Sequence, residues 1–256
     1  YTQSSSDSAK MKDAAGNAVA TLSSAKSVTV TNDTAAPTVA SVTSSTSDGT
    51  FKAGDTVAVQ VKFSEAVVVT TAGGTPKITL ETGTTDRSVN YTSGSESDTL
   101  VFNYTVQNGD VAADLDYAAT TSLALNGGTI KDVAGNVATL TLASPGASGS
   151  LANAKALVVD GVLPTVSTAA ANAGTKTITL TMSEAIASGS PANGDFAVLV
   201  GSASNAVTNV AVSGTSVVLT VTNFIANDAT VTVGYTQSSS DSAKMKDAAG
   251  NAVATL

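Results

Sequence analysis

Apolar and polar residues alternate with a period of two along most of this chain. The clearest runs are Thr56-Val-Ala-Val-Gln-Val-Lys-Phe, Leu100-Val-Phe-Asn-Tyr-Thr and Thr177-Ile-Thr-Leu-Thr-Met. Alternation of this kind sends one row of side chains into a core and the other into water, which is the pattern of a half-buried strand. It predicts strands at 38–43, 56–63, 77–82, 87–92, 99–106, near 115–121 and at 137–142, with a further extended segment at 155–159. A second series follows at 165–169, 176–182, 195–200, 206–212, 215–222 and 229–235. Turn residues separate the runs, among them Asp48-Gly49, Asn108-Gly109 and Ser213-Gly214. Gly, Asn and Asp serve positions with φ > 0. Short strands at this spacing predict an all-β fold of tandem immunoglobulin-like β-sandwich domains arranged end to end.

The chain repeats itself at two levels. Residues 1–22, YTQSSSDSAKMKDAAGNAVATL, recur letter for letter at 235–256, an offset of 235 − 1 = 234 residues. Within that period three markers recur in the same order. Asp33-Thr-Ala-Ala-Pro-Thr-Val answers Asp160-Gly-Val-Leu-Pro-Thr-Val, and Phe63-Ser-Glu-Ala answers Met182-Ser-Glu-Ala. Lys131-Asp-Val-Ala-Gly-Asn answers Lys246-Asp-Ala-Ala-Gly-Asn. Repeats fix architecture before any other feature. The boundaries they predict are the end of a preceding domain at 1–32, one sandwich at 33–159 and a second at 160–256. On this reading the second sandwich lacks the equivalent of Ser23–Asn32 as its closing strand, and the chain is a window on a longer tandem array.

If successive strands reverse direction, the three markers gather at one end of each sandwich. Ser-Glu-Ala falls in the loop after the second strand, Asp-x-Ala-Gly-Asn in the loop before the last, and Asp33 or Asp160 in the entering linker. Carboxylates so placed repel one another, and hard oxygen donors on flexible loops suit Ca²⁺. The candidate ligands are Asp33, Glu65, Asp132 and Asn136 for the first sandwich, and Asp160, Glu184, Asp247 and Asn251 for the second. Asp13 occupies the equivalent position in the leading segment, and Asp110 and Asp114 lie in the loop facing the second sandwich. The same residues also make good tight turns with no metal, since Asp caps backbone N–H groups and Gly takes φ > 0. Both readings stand at this level.

Composition narrows the functions. The chain has no Cys, His or Trp, so a Ser-His-Asp triad, a thiol nucleophile and an ordinary zinc site are excluded. Acids outnumber bases 20 to 12, against the clustered basic residues that nucleic acid requires. No apolar run is long enough for a membrane-spanning helix. A carboxylate pair for glycoside hydrolysis is compatible with the composition, but sugar-stacking aromatics are scarce at 4%. The expectation is that this is no enzyme.

These markers resemble those of immunoglobulin-like repeats in very large bacterial surface proteins. The second sandwich is similar to the repeat named after a cyanobacterial swimming-motility surface protein. The first resembles a longer companion repeat of giant adhesin-like proteins, through Ile78-Thr-Leu-Glu-Thr-Gly and Leu125-Asn-Gly-Gly-Thr-Ile-Lys-Asp. The resemblance implies secretion, a cell-surface or fibre location, and calcium at domain junctions held by Glu65, Glu184, Asp132, Asp247, Asp33 and Asp160. It leaves two roles open. One is a spacer or filament repeat whose partners are neighbouring repeats and other copies. The other is an adhesin module binding a glycan or protein through exposed loops.

Overall fold

The computed structural model describes residues 5–6, 10–20 and 31–256, in two compact units, 1–35 and 36–256. Most of Ser23–Asn32, expected to hold the closing strand of the leading segment at Lys26-Ser-Val-Thr-Val-Thr, lies outside the described residues. In the first unit, Met11–Val19 forms a tight loop closed by a Lys12–Ala18 bridge and a Val19 N–H to Met11 carbonyl bond of 2.8 Å.

The second unit is nearly all β and holds two separate hydrophobic cores. The first core is built by β1 (Val39–Ser44), β2 (Gly49–Lys52), β3 (Thr56–Thr70), β4 (Lys77–Glu81), β5 (Arg87–Ser93) and β6 (Ser97–Thr105). Five short strands complete it: β7 (Val111–Ala112), β8 (Asp116–Tyr117), β9 (Leu123–Ala124), β10 (Thr129–Lys131) and β11 (Leu157–Asp160). The main sheet runs β1-β3-β6-β5-β4-β8, with β10 on β3 and β9 on β4, and a second sheet runs β2-β11-β7. Alternation does the sorting. Val57, Val59, Val61 and Phe63 of β3 are buried, as are Leu100, Phe102 and Tyr104 of β6, while their neighbours are more exposed. A single helical turn, α1 (Leu151–Ala154), is capped by the Ser150 side chain and precedes β11.

The second core is smaller. One sheet runs β12 (Val166–Ala171), β13 (Thr177–Ile186), β16 (Val207–Val221). The other runs β15 (Ala203–Ser204), β14 (Phe196–Val200), β17 (Val231–Tyr235). Both sheets bury side chains in one cluster, Ile178, Leu180 and Leu219 from the first and Phe196, Val198 and Tyr235 from the second. The strands expected at 206–212 and 215–222 form one run of extended backbone, β16, that doubles back at Gly214, whose φ is +56°. Thr222 N–H reaches the Ala206 carbonyl and Thr208 Oγ1 the Thr220 carbonyl across that fold.

Two sequence expectations need correction. Ser64-Glu65-Ala66 and Ser183-Glu184-Ala185 were expected in loops, yet they lie inside β3 and β13. Each strand breaks register there, between Lys62 and Val67 against β6 and between Thr181 and Ile186 against β16. Such irregularities re-aim side chains without ending a strand. The strand expected at 137–142 is reduced to isolated bridges at Val137 and Thr139.

Candidate metal centre

The Asp-x-Ala-Gly-Asn motif folds the same way each time. In the second core region Asp247 Oδ1 accepts from Gly250 N–H at 2.7 Å and Asn251 N–H at 2.8 Å, and Oδ2 accepts from Asn251 Nδ2 at 2.8 Å. Gly250 supplies the φ of +95° that closes the turn. Asp132 accepts from Asn136 N–H at 2.8 Å and Nδ2 at 2.6 Å. Burial pushes the Asp132 carboxyl up, but the hydrogen bonds from Asn136, Gly135 and Ala134 outweigh it and hold the group below the ordinary carboxylate range. Asp13 accepts from Ala15 and Asn17 N–H and from the Asn17 side chain, and those bonds likewise lower it. These contacts span four residues or fewer, so the turn is a local product of the motif.

Tertiary structure adds a second layer to the Asp247 turn. Asp160 ends β11, Glu184 sits at the register break of β13, and one carboxylate oxygen from each of Asp160, Glu184 and Asp247 lies within 4.8 Å of the other two. Among the described residues no Lys or Arg nitrogen lies within 4.0 Å of any of the three. Glu184 Oε1 is buried and has no hydrogen-bond partner among the described residues. Desolvation, then the charges of Asp247 and Asp160, push the Glu184 carboxyl above its ordinary range. At about 5 Å and an effective dielectric near 20, each charged pair costs about 3 kcal/mol. Asp160 and Glu184 also line an open cleft of about 530 Å³, shared with Val111, Val158 and Val162, which gives solvent access.

The donor set fits a hard cation. Two ligands at 2.3–2.6 Å from one Ca²⁺ are at most about 5 Å apart, and the three oxygens satisfy that limit at 4.8 Å. Glu65 and Asp132 have ligand oxygens within the same 4.8 Å of each other. Asp33 belongs to the first unit, where its Oδ1 accepts the Ala35 N–H at 3.0 Å.

Other candidates do different work. Asp110 is almost fully buried and takes Arg87 Nε at 2.7 Å, Tyr104 Oη at 2.7 Å and Gln107 N–H at 2.9 Å, so its oxygens are committed inside the first core region. That carboxylate and its burial together raise the Tyr104 hydroxyl far above its ordinary range, burial being the larger cause. Asp114 accepts the Leu157 N–H at 3.2 Å. Neither belongs to a carboxylate group. Asn136 positions Asp132 through its side-chain nitrogen. Asn251 is a clamp: its Oδ1 accepts Ala53 N–H at 3.0 Å while its Nδ2 donates to the Asp160 carbonyl at 2.8 Å. It thereby ties the Asp247 turn to the first core region. Beside it Gly161 N–H donates to the Asp110 carbonyl and Gly109 N–H to the Gly161 carbonyl. Spacing alone held no signal for this clamp, because Ala53 and Asn251 are 198 residues apart.

Residues 189–240 match the profile of a family described as "Putative flagellar system-associated repeat". The match spans β14 to β17 and contains none of Asp160, Glu184 and Asp247. A search of curated proteins finds no match. The chain therefore carries a stretch similar to a motility-associated repeat, in an all-β fold. Among the described residues no helix is long and apolar enough to cross a membrane.

Proposed function

We propose that this chain is a structural repeat of a long secreted surface or fibre protein, built of immunoglobulin-like sandwiches whose junctions are stiffened by Ca²⁺. The carrying observation is the carboxylate group formed by Asp160, Glu184 and Asp247, with a buried Glu184 oxygen that no described residue satisfies. Asp160 stands where one core region gives way to the next, so an ion held there links the β11 end, the β13 break and the Asp247 turn. The exact 22-residue repeat supports bulk building material with neighbouring copies as partners, and the motility-associated match supports a place at the cell surface. The role is mechanical and not catalytic.

Isothermal titration of the full chain with CaCl₂, paired with the Glu184→Gln variant, tests the reading. Binding at about 10⁻⁴–10⁻³ M is expected, the range of extracellular modules, with at least one site lost in the variant. Equal heats from the two proteins would overturn the role of the Glu184 site.

A further inference from the structure

In the first core region β5 changes partners along its length. Residues 87–90 pair with β4, whereas further on Tyr91 faces Phe102 and Ser93 faces Val101 of β6. Thr92 Oγ1 accepts the Asn103 N–H at 3.4 Å, and beyond that point β5 and β6 part. Continuing the ladder would set Asn90 against Asn103 and Ser88 against Thr105. Instead a cleft of about 550 Å³ opens between the two strands. The sequence marks both walls alike, with Asn90-Tyr91-Thr92 on β5 and Asn103-Tyr104-Thr105 on β6.

Alternation sorts the lining. Val89 and Tyr104 turn inward and are buried. Ser88, Asn90 and Thr92 on one wall and Asn103, Thr105 and Gln107 on the other are exposed. Each of these six is a neutral amide or hydroxyl that both donates and accepts. The carboxamides of Asn90, Asn103 and Gln107 make no hydrogen bond to a described residue. Arg87 is the one charged residue among the described residues that line the cleft. Its Nε is held at 2.7 Å by Asp110, a carboxylate 1% exposed that also takes the Tyr104 hydroxyl. The guanidinium is thereby fixed in place and its charge is matched inside the protein. No described residue accepts from its two Nη groups, so those donors remain for a ligand.

We propose that the cleft between β5 and β6 binds a neutral oligosaccharide, with Asn90 and Asn103 gripping it from opposite walls and the Arg87 Nη groups donating to its hydroxyls. Charge and edge length select this ligand. With Asp110 balancing Arg87, the lining offers an ion no net attraction. The open edge on each wall spans only residues 88–90 and 103–105, shorter than the five or so residues of an ordinary strand, so a peptide gains little by adding there. Sugar hydroxyls donate and accept at once, which suits a double row of amides and hydroxyls. The apolar C–H faces of the sugar rings pack on the partly exposed Tyr91. Affinity at one cleft is low, because an open polar site exchanges hydrogen bonds to water for similar ones. Tandem copies of the repeat then add avidity along a polymer. None of the lining residues belongs to either carboxylate group, so this binding is separate from the cation reading of the junction.

Titration of the ¹⁵N-labelled full chain followed by NMR tests this, run in EDTA so that its outcome is independent of cation binding. The probes are cellopentaose, maltopentaose, mannopentaose and chitopentaose. At least one should move the side-chain amide signals of Asn90, Asn103 and Gln107 and the Nε–H signal of Arg87, with a Kd of about 1–10 mM. The variant N90A/N103A changes two exposed positions, so it should keep its Tm and bind about tenfold more weakly. Gln107→Ala, beyond the end of β6, should weaken binding too and serves in its place if the double variant melts early. The proposal is overturned if none of the four sugars moves the cleft signals, or if only signals elsewhere move. Binding by N90A/N103A and by Gln107→Ala equal to the wild type overturns it as well. So does tighter binding of pentagalacturonate, or of the strand-forming peptide Thr-Val-Thr-Val-Thr-Val, than of every neutral sugar.

Discussion

Glu184→Gln separates the cation reading of the Asp160–Glu184–Asp247 group from a purely structural one. The substitution keeps the shape of the side chain and removes one of three negative charges. With all three ionised and no metal, Glu184 takes part in two repulsive pairs, each costing about 3 kcal/mol at about 5 Å. Protonation limits that cost. At pH 7, holding a proton on a group whose ordinary value is 4.5 costs about 3 kcal/mol. The metal-free variant should therefore be more stable than the wild type by about 1–3 kcal/mol. At about 2–4 °C per kcal/mol this appears as a higher Tm in a melt followed by circular dichroism. Calcium should reverse the ranking. At millimolar excess over a site of about 10⁻⁴–10⁻³ M, the wild type gains about 1–3 kcal/mol by mass action, and the variant gains less. The pH dependence follows from the raised Glu184 carboxyl. Because the folded state holds this proton more tightly than the unfolded chain, its contribution is complete below the ordinary value and is lost as pH rises through the raised one. In EDTA, wild-type stability should fall over that interval and the variant's should not. Equal calcium shifts in wild type and variant, or a destabilised variant in EDTA, would refute the reasoning.

Three further outcomes follow. Asn251→Ala removes the acceptor of the Ala53 N–H, so hydrogen exchange at Ala53 should speed up by about tenfold, the equivalent of about 1.4 kcal/mol. Gly161→Ala would set a Cβ 2.2 Å from the Gln107 carbonyl oxygen, and should lower Tm by loosening the link between the two core regions. Asp110→Asn leaves Arg87 without its charge partner inside the first core region and should cost about 3 kcal/mol. Its calcium-induced Tm shift should equal the wild type's, since Asp110 belongs to neither carboxylate group.

Much of this protein was legible in one dimension, and the reason is locality. Strand alternation depends on neighbours two apart, so the runs around Val57–Phe63 and Leu100–Tyr104 announced their buried rows. The Asp-x-Ala-Gly-Asn turn depends on partners within four residues, and Asp13, Asp132 and Asp247 make it alike. Tertiary structure decided whatever depends on distant partners. Ser-Glu-Ala reads as the end of a strand, yet partner strands on both sides carry it onward and the register break aims its carboxylate. Asp110 reads as a candidate cation ligand in a loop facing the second sandwich, but Arg87 and Tyr104 claim it from neighbouring strands. The repeated 22 residues show the division most clearly. Identical letters give an identical turn twice, yet Met11 is exposed and Met245 is buried. Hydrogen bonds within the turn travel with the sequence, whereas burial belongs to the sheets that pack against it.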